Sequence, residues 1–180
     1  MTKSIRAFAI RGLAGQIFSR GMNTLSDELN AITGVRCSVE DEASWFPYDH
    51  VPMIAKAARE AAASGAAIVL IGHSMGGDAA MRIAVALNSD RVEVALVVCI
   101  DPTTFGCPKI PSNVREARDY FQKVDPVGRG VLAPSDEFAA LLKGGKRTLI
   151  QERHDMPHVV IDDDHPIHVK IVSAVKALAA

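Results

Sequence analysis

The sequence predicts an α/β chain, a three-layer α/β/α sandwich around a mostly parallel sheet, and three observations predict it. Strand-like and helix-like stretches alternate along the 180 residues. Residues 66–71 (AAIVLI) and 92–100 (VEVALVVCI) are almost continuously apolar and rich in branched side chains, as in strands covered on both faces. A helical segment intervenes between successive strands, the arrangement that yields a parallel sheet with helices on both sides.

Residues 5–10 (IRAFAI) form a short strand that ends at Arg11-Gly12. Residues 13–33 carry Leu25, Leu29 and Ile32 at helical spacing, and Ser26 before Asp27 and Glu28 suits an early helical turn. Gly34 stops that helix, and residues 35–39 form a second strand. Residues 40–49 mix acidic, aromatic and proline residues and read as a loop. Residues 51–63 are an alanine-rich helix starting near Pro52 and ended by Gly65. The strand at 66–71 follows, then a helix over 75–87 and the strand at 92–100. From 101 to 145, prolines and glycines break the regularity, and two short helices are expected near 113–122 and 135–142. A last strand spans 147–152 and a last helix 167–179. The expectation is one domain over residues 1–180, with 102–145 as a partial lid.

Composition narrows the function. Lys and Arg number 20 against 21 Asp and Glu, a formal net charge of −1, which supplies no clustered positive charge for nucleic acid. No segment reaches the roughly 18 apolar residues of a membrane span. Residues 1–11 lack a long apolar region and a small-residue cleavage site. The three cysteines, Cys37, Cys99 and Cys107, are sparse, and Cys99 lies within an apolar run as a core residue. A reducing, cytoplasmic setting is expected.

Gly72-His73-Ser74-Met75-Gly76-Gly77 follows the most apolar strand directly and fits G-x-S-x-G. The pattern is short; its context, strand before and helix after, carries the weight. A serine nucleophile has to stand on a sharp, strained turn, and the flanking glycines let the backbones on either side approach. Ala79, Ala80, Ile83, Ala84 and Leu87 share one face of the next helix, whose N-terminus points free N–H groups toward a developing oxyanion. The competing reading is an anion-binding glycine turn. A phosphate loop wants G-K-[ST] and a dinucleotide fingerprint wants G-x-G-x-x-G, and neither is present.

GHSMGG resembles the nucleophile region of α/β-hydrolase lipases, esterases and thioesterases, and the resemblance extends from Arg11-Gly12-Leu13 to the final helix. It implies a minimal α/β-hydrolase fold and the order Ser, acid, His. Asp101, directly after the 92–100 strand, matches one place where this family carries its acid; Asp125 and Asp136 are the alternatives. His158, in the loop before the last helix and eight residues ahead of Pro166, matches the family base; His154 and His165 are the alternatives. His50 precedes the required order, His73 lies inside the G-x-S-x-G turn (the nucleophile elbow), and His168 reads as a surface residue of the last helix. Met75 N–H and Leu13 N–H are the oxyanion donors by the same resemblance, with Arg11 where relatives often carry His.

Asp162, Asp163 and Asp164 read as a solvated cap on the last helix. His154, Asp155, His158, Asp162 and His165 are possible metal ligands, but HEXXH is absent and Pro157 keeps the histidines off one helix face. No metal or organic cofactor is expected. The resemblance implies a Ser74–His158–Asp101 triad that cleaves a carboxylic ester or thioester of modest acyl length through an acyl-enzyme. Phe105, Tyr120, Phe121, Val131 and Leu132 line an acyl pocket or pack on the sheet edge. The rival readings are a peptidase or amidase using the same triad, and a hydrolase-fold protein that binds without catalysis.

Overall fold

A computed structural model describes residues 3–40, 46–104 and 106–180. Six strands form one sheet: β1 (Ile5–Ile10), β2 (Val35–Glu40), β3 (Ala67–His73), β4 (Val94–Ile100), β5 (Val114–Gln122) and β6 (Thr148–His154). Their order is β2-β1-β3-β4-β5-β6, and every neighbouring pair is parallel. The helices are α1 (Gly15–Phe18), α2 (Gly21–Asn30), α3 (Val51–Ala63), α4 (Met75–Ser89), α5 (Asp136–Lys143) and α6 (His165–Ala179), with 3₁₀ turns at Pro47–His50 and Ile161–Asp163.

Alternation along each strand feeds two cores. Ile5, Ala7, Ala9, Val69, Ile71, Leu96, Val98 and Ile100 face one side, where Met22, Leu25 and Leu29 of α2 and Ile167, Ile171 and Val175 of α6 cover them. Phe8, Ile10, Ile68, Leu70, Val97 and Cys99 face the other, under Ile54 and Ala58 of α3, Ala80, Ile83 and Leu87 of α4 and Phe138 of α5. This is the three-layer sandwich. β3 and β4 are buried at every position, which is why their sequences show no polar alternation.

Three elements depart from the sequence reading. Residues 113–122 were expected to be helical, yet Val114–Gln122 is strand β5, paired with β4 and β6. Val114, Ala117 and Tyr120 are buried at three-residue spacing, which imitates a helix face, while the polar Asp119 and Gln122, on either side of Tyr120, are buried as well. The helix expected within 13–33 is split into α1 and α2, and Ser26 is a buried residue in the middle of α2 rather than near its start. Of the 40–49 loop, residues 41–45 lie outside the described residues, and Pro47–His50 is a 3₁₀ turn.

Asp119 shows what an acid does inside a sheet. It is fully buried; Oδ2 accepts from Leu132 N–H at 2.9 Å and from Gln151 Nε2 at 3.2 Å, holding the segment before α5 against β5 and β6. Burial pushes its carboxyl up from 3.8 to about 7. The folded carboxyl keeps its proton over a range where the unfolded one has lost it, so Asp119 subtracts stability progressively as pH rises from about 4 to about 7. Asp119→Asn keeps an acceptor for Leu132 and has no proton to lose. The stability of the variant relative to wild type is expected to improve between about pH 5 and about pH 8, read as urea midpoints. An equal offset at both pH values contradicts it.

Candidate active site

β3 ends at the carboxyl edge of the sheet, and the chain turns there through Ser74, at φ 56° and ψ −129°, into α4. That region is sparsely populated by residues with a Cβ. The turn closes because two side chains are missing. A Cβ on Gly72 would lie 2.5 Å from Gly77 N, and one on Gly76 would lie 2.8 Å from the carbonyl carbon of Arg11 on the neighbouring chain after β1. Ser74 N–H donates to Ile100 O at 2.9 Å, and Ser74 O accepts from Gly77 N–H at 2.9 Å.

His73 pairs with Ile100 in the sheet register, so Ser74 and Asp101 leave adjacent strands side by side. His158, in the loop between β6 and α6, reaches both. Its Nε2 lies 2.9 Å from Ser74 Oγ and its Nδ1 2.6 Å from Asp101 Oδ2. A carboxylate accepts, so Nδ1 carries the proton and Nε2 presents its lone pair to the serine hydroxyl. Asp101 is fully buried and, like Ser74, sits at positive φ, 44°. Its Oδ1 accepts from Arg129 N–H at 2.8 Å and Gln122 N–H at 3.3 Å, and its Oδ2 from Gln122 Nε2 at 3.0 Å. Gly128, at φ 72°, passes so close that a Cβ there would lie 2.6 Å from Asp101 Cγ. Gln122 had no signal in the sequence, because its role depends on β5 being a strand.

The other candidates lie elsewhere. Asp125 is not on the imidazole; its Oδ2 accepts the backbone N–H of His158 at 2.8 Å, and that bond foremost holds its carboxyl below the usual range. Asp136 opens α5. His154 packs edge-on against the Tyr120 ring at 5.8 Å, with Glu152 and Asp164 beside it. His165 is exposed at the start of α6. Two readings are corrected. His168 is buried rather than on the surface, its Nε2–H donating to Asp162 O at 2.6 Å. Asp162 is also buried rather than a solvated cap, because the 3₁₀ turn before α6 folds it under the start of α2, where Oδ2 accepts Gly21 N–H at 3.0 Å. Burial, then the charge of Asp163, pushes its carboxyl up to about 7. Among the described residues no group of three or more His, Cys, Asp or Glu side chains is arranged to hold a metal ion.

Beneath the Ser74–His158 pair lies a second buried network. His73 is 1% exposed; Nδ1 lies 2.8 Å from Ser19 Oγ and Nε2 3.1 Å from the carbonyl oxygen of His158. Ser19 Oγ also accepts Gly12 N–H at 3.1 Å. Burial, reinforced by the adjacent His158, pushes the His73 imidazole down to about 3, so it is neutral near pH 7.

A half-open cleft of about 280 Å³ lies over Ser74, lined by Leu13, Phe18, Met75, Val127, Val159 and Thr103 among others. Of the aromatic and aliphatic residues expected in this role, the four that are described are not among its walls. Tyr120 and Leu132 are in the two cores, Phe121 lies under Lys123, Val131 is exposed, and Phe105 lies outside the described residues. Leu13 and Met75 flank Ser74 in the cleft, and the Arg11 guanidinium turns away to donate to Asn23 of α2. A hollow of about 460 Å³ at the amino end of the sheet, among Lys3, Arg59 and Arg91, contains no such pair of serine and histidine.

No family model matches the chain, and no match is found among curated proteins. Solved structures do match over nearly the whole chain. A thioesterase of the prodiginine biosynthetic pathway in Streptomyces coelicolor is 10% identical, with 96% of this chain and 91% of that one covered and a TM-score of 0.65. An esterase from Pyrobaculum calidifontis is 15% identical over 99% and 79%, at 0.64. A protein classed with the alpha/beta hydrolase superfamily, from Xanthomonas campestris pv. campestris, is 15% identical over 96% of each chain, at 0.59. At such identities the likeness speaks to architecture. With its parallel six-stranded sheet and a strand–serine–helix turn at the carboxyl edge, the chain has the α/β-hydrolase fold.

Proposed function

We propose that the chain is a serine hydrolase that cleaves short-chain carboxylic esters or thioesters. The observation that carries this reading is the continuous relay from Ser74 Oγ through His158 to Asp101, at 2.9 and 2.6 Å, opening into an apolar cleft. The esterase and thioesterase among the structural neighbours support it as analogy.

In the proposed reaction the substrate carbonyl sits over Ser74 with its acyl chain against Leu13, Phe18, Val127 and Val159. His158 Nε2 takes the hydroxyl proton as Ser74 Oγ attacks. Asp101 holds the imidazole in the tautomer that makes this possible and balances the imidazolium that forms. The oxyanion is assigned to Met75 N–H, at the N-terminus of α4, and to Leu13 N–H. Gly12 brings that second backbone in, since a Cβ there would lie 2.8 Å from Ser74 Cβ. The imidazolium then protonates the alcohol or thiol leaving group. Water, deprotonated by the same nitrogen, releases the acid and restores Ser74.

Two expected outcomes test the reading. A fluorophosphonate probe labels the wild type, Ser74→Ala abolishes the label, and Ser74→Ala or Asp101→Asn lowers kcat on p-nitrophenyl butyrate by about 10⁴-fold. A wild-type chain that neither takes the label nor turns over an ester favours a binding protein of the same fold. Across p-nitrophenyl esters and acyl thioesters, the 280 Å³ cleft predicts that kcat/KM peaks with acyl groups of up to about eight carbons, and faster turnover of peptide amides than of either favours a peptidase using the same triad. A steady rise of kcat/KM to long chains contradicts the assigned acyl site.

A further inference from the structure

We infer that His73 is a positioning residue for the reaction proposed above, tying the loop after β1 to the loop after β6 and so holding the His158 ring against Ser74. The inference rests on that reaction for its kinetic test, but its geometric content stands apart from it.

His158 is anchored at three points by three strands. Asp101, after β4, takes its ring Nδ1–H; Asp125, after β5, takes its backbone N–H at 2.8 Å; and His73, the last residue of β3, faces its backbone carbonyl at 3.1 Å. The third anchor fixes the direction of every proton beneath it. A carbonyl oxygen only accepts, so His73 Nε2 carries the proton, and its Nδ1 must then accept the Ser19 hydroxyl at 2.8 Å. With its proton committed, Ser19 Oγ has lone pairs left to take Gly12 N–H at 3.1 Å. The result is a polarised chain, Gly12 N–H to Ser19 to His73 to His158, linking the backbone assigned to oxyanion binding with the assigned general base.

The ring also has to stay neutral. Its centroid is 4.8 Å from that of His158, which becomes cationic during the proposed turnover. A second cation at that distance in a buried site would oppose the imidazolium. Asp162 lies close enough to raise the question of a proton: Oδ1 is 3.8 Å from His73 Nδ1, too far for a hydrogen bond, and the Ser19 hydroxyl already occupies that nitrogen.

The test separates positioning from a merely structural role. His73→Gln retains an N–H that reaches the His158 carbonyl, His73→Asn is too short to do so, and His73→Leu fills similar space with no donor. On p-nitrophenyl butyrate, kcat is expected to fall about 10–100-fold in His73→Leu with KM within about twofold, because a misplaced ring affects the proton transfer rather than acyl binding. His73→Gln is expected to recover most of the loss and His73→Asn little of it. Wild-type kcat in a folded His73→Leu overturns the proposal. If His73→Leu fails to fold, the pair of amides decides: equal kcat in His73→Gln and His73→Asn overturns it as well. A wild type inactive on esters sinks the hydrolase reading alone. The low-field proton resonance of His158 Nδ1–H, held at 2.6 Å by Asp101, then decides the case for His73. Sharp in wild type and His73→Gln but broadened in His73→Leu supports the anchor; unchanged in all three overturns it.

Discussion

The closeness of three backbones at one corner of the sheet governs the rest of the molecule. Where β3 gives way to α4, Gly72 touches the first turn of that helix and Gly76 touches the chain leaving β1. Any side chain at either point would push α4 away, and Ser74 would lose its place on the turn between them. Small alanines continue the same logic along α4, where Ala79, Ala80 and Ala84 are completely buried. Apolar burial stabilises the sandwich in general, but this contact decides where along the sheet edge a hydroxyl stands.

From that fixed corner the sheet acts as a ruler. The pairing of His73 with Ile100 brings Ser74 and Asp101 out on neighbouring strands, roughly one strand spacing of about 4.8 Å apart. One imidazole can then bridge them only if it arrives from above, and the loop after β6 delivers it. β5 contributes Gln122 to hold Asp101 from behind, and the segment after it folds back so that Gly128 and Arg129 close over the same carboxylate. Asp119, three residues before Gln122 on β5, keeps the downstream segment seated.

What the sequence disclosed follows this division. Strands buried on both faces announce themselves as apolar runs, and a turn that tolerates no Cβ announces itself as glycines at fixed offsets, so β3, β4 and the elbow were readable from residues alone. The positions of Asp101 and His158 came from family resemblance, with Asp125 and His154 left open, because no local rule distinguishes an acid on a ring from an acid on an amide. β5 was misread because Val114, Ala117 and Tyr120 imitate a helix while its buried polar residues serve partners far away in sequence. Asp162 and His168 were misread for the opposite reason. Asp162 stands in an acidic run before a helix and His168 on a helix with polar neighbours, settings that suit solvent, and only the docking of α6 beside α2 takes them out of it. His73 was passed over because its partners, Ser19 and the carbonyl of His158, are 54 and 85 residues distant.

Ser74 and Asp101 both occupy backbone conformations that suit glycine better than a residue with a Cβ. Each such residue costs about 1–3 kcal/mol, a sizeable part of the margin that keeps a small domain folded. Heat tolerance and the placing of the Ser74 hydroxyl therefore draw on the same reserve. Directed evolution of this chain under thermal challenge alone, with no turnover demanded, would favour glycine at Ser74 and arrive at a sturdier scaffold without its hydroxyl, while the four donors on the buried Asp101 would keep that carboxylate in place.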